Sequence, residues 1–216
     1  MIVLKVDARD PDPEAIRTAA DAIRRGELVV FPTETVYGLA ADALNESAVK
    51  RVLEVKGRCG TLPLPVQVAS VDDLPKVASS VSETVRLLAA RFWPGPLTLV
   101  LPKSSAISSL VSAGAETVGV RIPDHAVALA LLRELGSPIV ATSANITGEP
   151  PALRAEHAIR RLGQAVSVVL DAGESVLKVS STVLDASVSP PRILRHGAIS
   201  VEEIRQSVGE VNVHTQ

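Results

Sequence analysis

The sequence predicts an α/β fold, a single domain built on one twisted mixed sheet with flanking helices. Three observations carry the prediction. Short apolar runs and amphipathic helical patterns mix along the whole chain. No long linker, internal repeat or low-complexity block interrupts them. The length of 216 residues suits one domain that buries roughly 70% of the surface its unfolded chain exposes.

Residues 2–6 read as a short strand. Residues 13–25 read as a helix: Pro13 suits the first turn, Ile16, Ala19, Ala20 and Ile23 share a face, and Gly26 stops it. Leu28–Phe31 is a buried strand ended by Pro32. Residues 46–55 form a helix capped by Asn45 or Ser47. A Gly/Pro-rich loop, 57–65, leads to a strand at 66–68. A helix over 82–91, the turn Trp93-Pro94-Gly95-Pro96 and a strand over 97–101 follow. Thr117–Ile122 is a strand ended by Pro123, and Asp124 caps a helix that runs to Leu135 and closes at Gly136. Further strands are expected at 138–141, 166–170, 179–184 and 192–195, with helices at 154–162 and 201–207. Residues 1–207 then form the domain and 208–216 a fraying tail.

Composition excludes several classes. Hydrophobic residues at 46% and charged residues at 21% exclude wholesale disorder. Trp93, Tyr37, Phe31 and Phe92 are the only aromatics, so the core is aliphatic and no base-stacking platform is available. The net charge of −2, from 22 basic and 24 acidic residues, does not imply nucleic-acid binding through bulk charge. Cys59 is the only cysteine, which excludes an intrachain disulfide and a cysteine-rich zinc site. No apolar run approaches the ~20 residues of a membrane span, and the start is charged by Lys5 with no signal-peptide pattern. The chain reads as a soluble cytoplasmic protein.

Phosphate-loop, dinucleotide, nucleophile-elbow and zinc-protease motifs are absent. His125, His157, His196 and His214 are not at metal-ligand spacings and read as surface or helix-end residues. What remains is a set of polar loops at strand ends. Thr33-Glu34-Thr35 follows a buried strand; alone, it reads equally as a turn with threonine caps. Lys56-Gly57-Arg58 places two cations beside glycine, or is simply a solvated charged loop. Arg121 ends an apolar strand, where burial demands a partner and where a guanidinium could clamp a carboxylate. Thr142-Ser143-Ala144-Asn145, Ser180-Ser181-Thr182 and Arg195 complete the set. Together they suggest an open concave crevice for phosphates and a carboxylate.

These residues, in this order, resemble the YrdC-like family, the short TsaC-type threonylcarbamoyl-AMP synthases. The resemblance rests on Phe31-Pro-Thr-Glu-Thr-Val-Tyr-Gly-Leu39, Lys56-Gly-Arg58 with Pro63-Leu64, and Trp93-Pro-Gly-Pro-Leu-Thr98. It continues through Val118-Gly-Val-Arg121-Ile-Pro123, Ser143-Ala-Asn145, Ser181-Thr-Val183 and Ile193-Leu-Arg195, and covers roughly residues 12–206. Longer relatives carry an extra C-terminal domain, and this chain is expected to end too early to hold one.

The resemblance implies that L-threonine, bicarbonate and ATP, with Mg²⁺ on its phosphates, become threonylcarbamoyl-AMP and pyrophosphate. Downstream proteins would transfer the threonylcarbamoyl group to tRNA. It implies threonine-binding roles for Thr33, Thr35, Gln67, Arg121, Ala141 and Ser181. It implies catalytic, phosphate-facing roles for Lys56 and Arg58, and an ATP side at Leu62, Thr117, Ser143, Asn145, Pro151 and Arg195. The chain departs from the family pattern at Cys59, Leu62, Gln67 and Pro151, where relatives usually have proline, asparagine, histidine and a serine-like residue. Two alternatives stay open: an RNA-binding protein of the same fold, reading duplex shape with a basic face, and a degenerate paralogue that binds nucleotide without turnover. A carbamoyl-transfer enzyme of the hydrogenase-maturation type would need cysteine-rich zinc segments that one cysteine cannot supply.

Overall fold

A computed structural model of the chain describes residues 1–57 and 62–213. The elements are β1 (Ile2–Lys5), α1 (Pro13–Arg24), β2 (Val29–Phe31), β3 (Gly38–Asp42), α2 (Glu46–Val55), β4 (Val66–Gln67), α3 (Glu83–Phe92), β5 (Leu97–Pro102) and α4 (Ser109–Ser112). They continue with β6 (Thr117–Arg121), α5 (Ala126–Leu135), β7 (Ile139–Ser143), α6 (Ala155–Leu162), β8 (Val168–Asp171), β9 (Thr182–Asp185), β10 (Arg192–Arg195), α7 (Val201–Val208) and β11 (Asn212–Val213). The strands form one mixed sheet in the order β1-β8-β2-β3-β7-β4-β6-β5-β9-β10-β11. Among the described residues, no helix is long and apolar enough to cross a membrane.

The two-residue period of the strands divides the core between the two faces of the sheet. Val29 and Phe31 of β2, Ala40 of β3, Ile139 and Ala141 of β7, and Val168 and Leu170 of β8 pack with α1 and α5 on one face. Val30, Leu39, Ala41, Val140 and Val169, the residues between them, pack with α2 and α6 on the other. A strand buried on both faces reads as an unbroken apolar run, which is why β2 and β8 are legible as strands without alternation.

Local chemistry sets the helix ends. Asp12 accepts from the Glu14 and Ala15 amides at the start of α1, and Asn45 from Ser47 and Ala48 at the start of α2. Gly26 and Gly136, at φ of 78° and 70°, take the left-handed positions that end α1 and α5. At α5 the cap is His125, whose Nδ1 accepts from the Val127 amide at 3.3 Å, rather than Asp124 as the sequence suggested.

Four elements depart from the sequence reading. β3, Gly-Leu-Ala-Ala-Asp, lacks the β-branched and aromatic residues that mark strands, and exists because β2 and β7 pair with it on both sides. The short 3-10 helix Val71–Lys76 and the four-residue α4 are too brief to show periodicity. The fraying expected over 208–216 is corrected for the described residues, which run to Val213. Val211 is buried in the core, and Asn212 and Val213 pair in parallel with Arg192 and Ile193.

Candidate active site

A cavity of about 270 Å³ crosses the middle of the sheet. Its walls come from the β2–β3 loop (Thr33, Thr35, Val36, Tyr37), the segment entering β4 and its end (Leu62, Pro63, Pro65, Gln67), and Thr98 of β5. Arg121 at the end of β6, Ala141–Ser143 of β7, Ser180 and Ser181 before β9, and Arg195 at the end of β10 complete it. Seven strands adjacent in the sheet, from β3 to β10, thus bring together residues spread over most of the chain.

Arg121 dominates the cavity. It is 6% exposed, and its Nε donates to the Gly95 carbonyl at 3.0 Å. Nη1 and Nη2 both donate to Thr35 Oγ1, each at 3.1 Å. Nη2 also lies 2.7 Å from Glu34 Oε1, in an ion pair. The hydroxyl directions follow by elimination. Thr33 Oγ1 donates to the Val36 carbonyl at 2.6 Å, so its one proton is committed. The 2.8 Å contact between the Thr33 and Thr35 hydroxyls therefore has Thr35 as donor. Thr35 donates to Thr33 and accepts twice from Arg121, which leaves its hydroxyl a support for the guanidinium.

On the opposite wall Arg195 folds back onto Ser181, donating to its carbonyl at 2.8 and 3.2 Å and to its hydroxyl at 3.1 Å. Ser181 Oγ in turn lies 2.9 Å from Thr98 Oγ1. Burial, and secondarily the neighbouring positive charge of Arg121, hold the Arg195 guanidinium below the usual arginine range. Two cations facing one small space favour an anion there. Gln67 adds the complementary group: it is buried, lines the cavity, and its Oε1 has no hydrogen-bond partner among the described residues. The cavity therefore suits a small ligand with an anionic group and a hydrogen-bond donor.

Residues 21–197 match the Sua5/YciO/YrdC family, described as telomere recombination. The chain belongs to this family. The threonylcarbamoyl-AMP synthase of Pyrococcus abyssi is 47% identical over 92% of this chain, and that of Bacillus subtilis 45% identical over 94%. The chain spans 58% of the length of each of these curated relatives. The crystal structure of P. abyssi Sua5 complexed with L-threonine superposes with a TM-score of 0.96 at 45% identity, covering 99% of this chain and 63% of that one. The sheet of the Sua5/YciO/YrdC fold, flanked by helices, is the α/β architecture that the sequence predicts.

Of the residues singled out from sequence, this Sua5/YciO/YrdC cavity gathers Thr33, Thr35, Leu62, Gln67, Arg121, Ala141, Ser143, Ser181 and Arg195. Four others fall elsewhere. Lys56 is 1% exposed and sits behind the wall rather than facing the cavity. Its Nζ donates to the carbonyls of Ser143 and Asn145, each at 2.6 Å, and to Asn145 Oδ1 at 2.8 Å. Asn145 is held in that same cluster, with Ser143 Oγ donating to its Oδ1 at 2.6 Å. Thr117 opens β6, at the strand end opposite Arg121. Pro151 lines a separate cavity of about 680 Å³ beside α6. Arg58 and Cys59 lie outside the described residues. The sequence places Glu34 and Ser180 in the polar loops of the crevice, and Glu34 and Thr98 in quoted motifs, but gives none of the three an individual role. The signal lay in their position beside assigned residues, but only the ion pair and the shared cavity reveal it.

Proposed function

We propose that this chain makes threonylcarbamoyl-AMP and pyrophosphate from L-threonine, bicarbonate and ATP, as a nucleotidyltransferase serving tRNA modification. The observation that carries the reading is the buried Arg121, held by Thr35 and Glu34 at a cavity of about 270 Å³. The family membership, the names of the relatives and the L-threonine in P. abyssi Sua5 support it.

In this reading the threonine carboxylate meets Arg121, with Ser181, Thr33 and Ala141 shaping the pocket around it. Gln67 Oε1 accepts from the substrate amine or hydroxyl. The amine and bicarbonate condense to a carbamate with loss of water. A carbamate oxygen then attacks the α-phosphorus of ATP, and pyrophosphate leaves. No step needs a nucleophilic side chain, so positioning and charge neutralisation carry the chemistry. Mg²⁺ enters as part of the ATP complex. Ser143, Arg195 and Leu62, which border the same cavity, face the nucleotide, and the family resemblance gives Arg58 a role toward the same phosphates. Lys56 and Asn145 serve it indirectly by fixing the backbone at Ser143. The reactive adenylate product calls for downstream transfer proteins that pass the group to tRNA.

The deciding measurement is pyrophosphate release from Mg·ATP, with threonine and bicarbonate each omitted in turn. Release that requires both is expected; release independent of threonine would end this reading. Arg121→Ala should abolish threonine-dependent release, and wild-type threonine affinity in that variant would remove the carboxylate assignment.

A further inference from the structure

We propose that Glu34 is a positioning residue that holds and charge-balances Arg121, keeping this guanidinium buried and aimed at the substrate carboxylate. The proposal rests on the threonine reading only for the identity of that carboxylate. Glu34 does not line the cavity; it is 7% exposed behind it, with Oε1 2.7 Å from Arg121 Nη2. A buried carboxylate is costly unless it is paired, and so is a buried guanidinium. Here each supplies the other's counter-charge.

The need for a counter-charge is local. Arg121 and Arg195 border the same cavity, and burial, then the charge of Arg121, hold the Arg195 guanidinium below the usual arginine range. With Glu34 the three groups sum to one positive charge; without it, two cations border one cavity with no carboxylate paired to Arg121. Thr35 cannot take over, because its hydroxyl already accepts both Arg121 nitrogens and donates to Thr33. Removal of the carboxylate therefore frees the guanidinium to turn from the geometry that two-point carboxylate recognition requires. The backbone of Glu34 also meets the segment leading to Ser180 and Ser181: its carbonyl accepts from the Leu177 amide at 2.8 Å.

The test is calorimetric titration of L-threonine into the full chain and its variants, with melting temperatures recorded for each. E34A should weaken threonine binding at least tenfold. E34Q keeps the size of the side chain and removes its charge, so it should weaken binding about as much as E34A, because Glu34 Oε1 meets Nη2 as a counter-charge and not as a hydrogen-bond acceptor. R121Q and the E34A/R121Q double variant should bind threonine equally poorly, since Glu34 acts through Arg121. E34A affinity within twofold of wild type would overturn the proposal, as would a double variant weaker than R121Q by the full E34A factor. Should E34A not fold, the comparison runs with E34Q. If wild type itself binds no threonine, the substrate reading fails and melting decides the pair alone. A double variant more heat-stable than E34A then supports charge balancing, and one equally or less stable overturns it.

Discussion

Lys56 and Arg121 are both cations buried beside the same cavity, and their surroundings give them different work. Among the described residues, Lys56 Nζ donates to two carbonyls and an amide oxygen of the 143–145 segment, so its charge braces the backbone. Arg121 has five donors; it meets Gly95, Thr35 and Glu34 and itself lines the cavity. Lys56→Met keeps the length of the side chain and removes the donor to the Asn145 carbonyl, while the Ser143 carbonyl keeps the Asn145 amide and Asn145 Oδ1 keeps the Ser143 hydroxyl. A loss of about 2 kcal/mol in stability is expected, together with slower pyrophosphate release. Urea unfolding and the release assay check both; an unchanged midpoint would show that the brace is dispensable. That Lys56 matters was legible from its place before Gly57-Arg58. That its Nζ reaches residues 143–145 was not, because a side-chain direction depends on where those residues lie.

At the scale of elements, the cavity depends on close packing between segments far apart in sequence. A Cβ on Gly197 would stand 2.3 Å from the Ser181 carbonyl carbon and 2.4 Å from the Thr182 nitrogen. Backbone cannot yield as a flexible side chain can, so Gly197→Ala should push the Ser180–Thr182 segment out of place. Threonine affinity and melting temperature are expected to fall together; a variant with wild-type values for both would show that the segment has slack. The N-terminus of α5 supplies a pH effect. Burial holds His125 below its usual value of 6.5, against the opposing charges of Glu34 and Asp124. The unfolded chain therefore binds a proton that the folded state resists. Stability is complete above about pH 6.5 and declines as the pH drops below it. His125→Asn keeps an acceptor at the cap and removes the titration. The melting-temperature difference between wild type and variant should be flat above pH 7 and slope below pH 6; a difference constant from pH 7 to 5 would clear His125 of the effect.

The whole molecule is a sheet with helices on both faces, closed at one side by a segment that the sequence reads as loose. Residues 209–213 are polar apart from two valines, and no local pattern marks them as structured. Yet Val211 is 3% exposed against the same core cluster as Ile193 and Ile204. Val211→Ala should cost ~2 kcal/mol through lost burial and the cavity left behind; a change within error would return this segment to the status of a tail.

The sequence by itself determined the α/β class, most helices and strands, and the identity of the loops that line the site. Those features are written in short-range terms: apolar period, cap residues, and polar loops after buried strands. Tertiary structure decided the rest. It made a strand of Gly38–Asp42, ordered Val211, turned Lys56 inward, and set Glu34 behind Arg121. Each of these depends on a partner 80 or more residues away in the chain, or on strand neighbours that the sheet order alone supplies. Pairing of that kind is fixed by the burial of the whole sheet, which no local window of sequence contains.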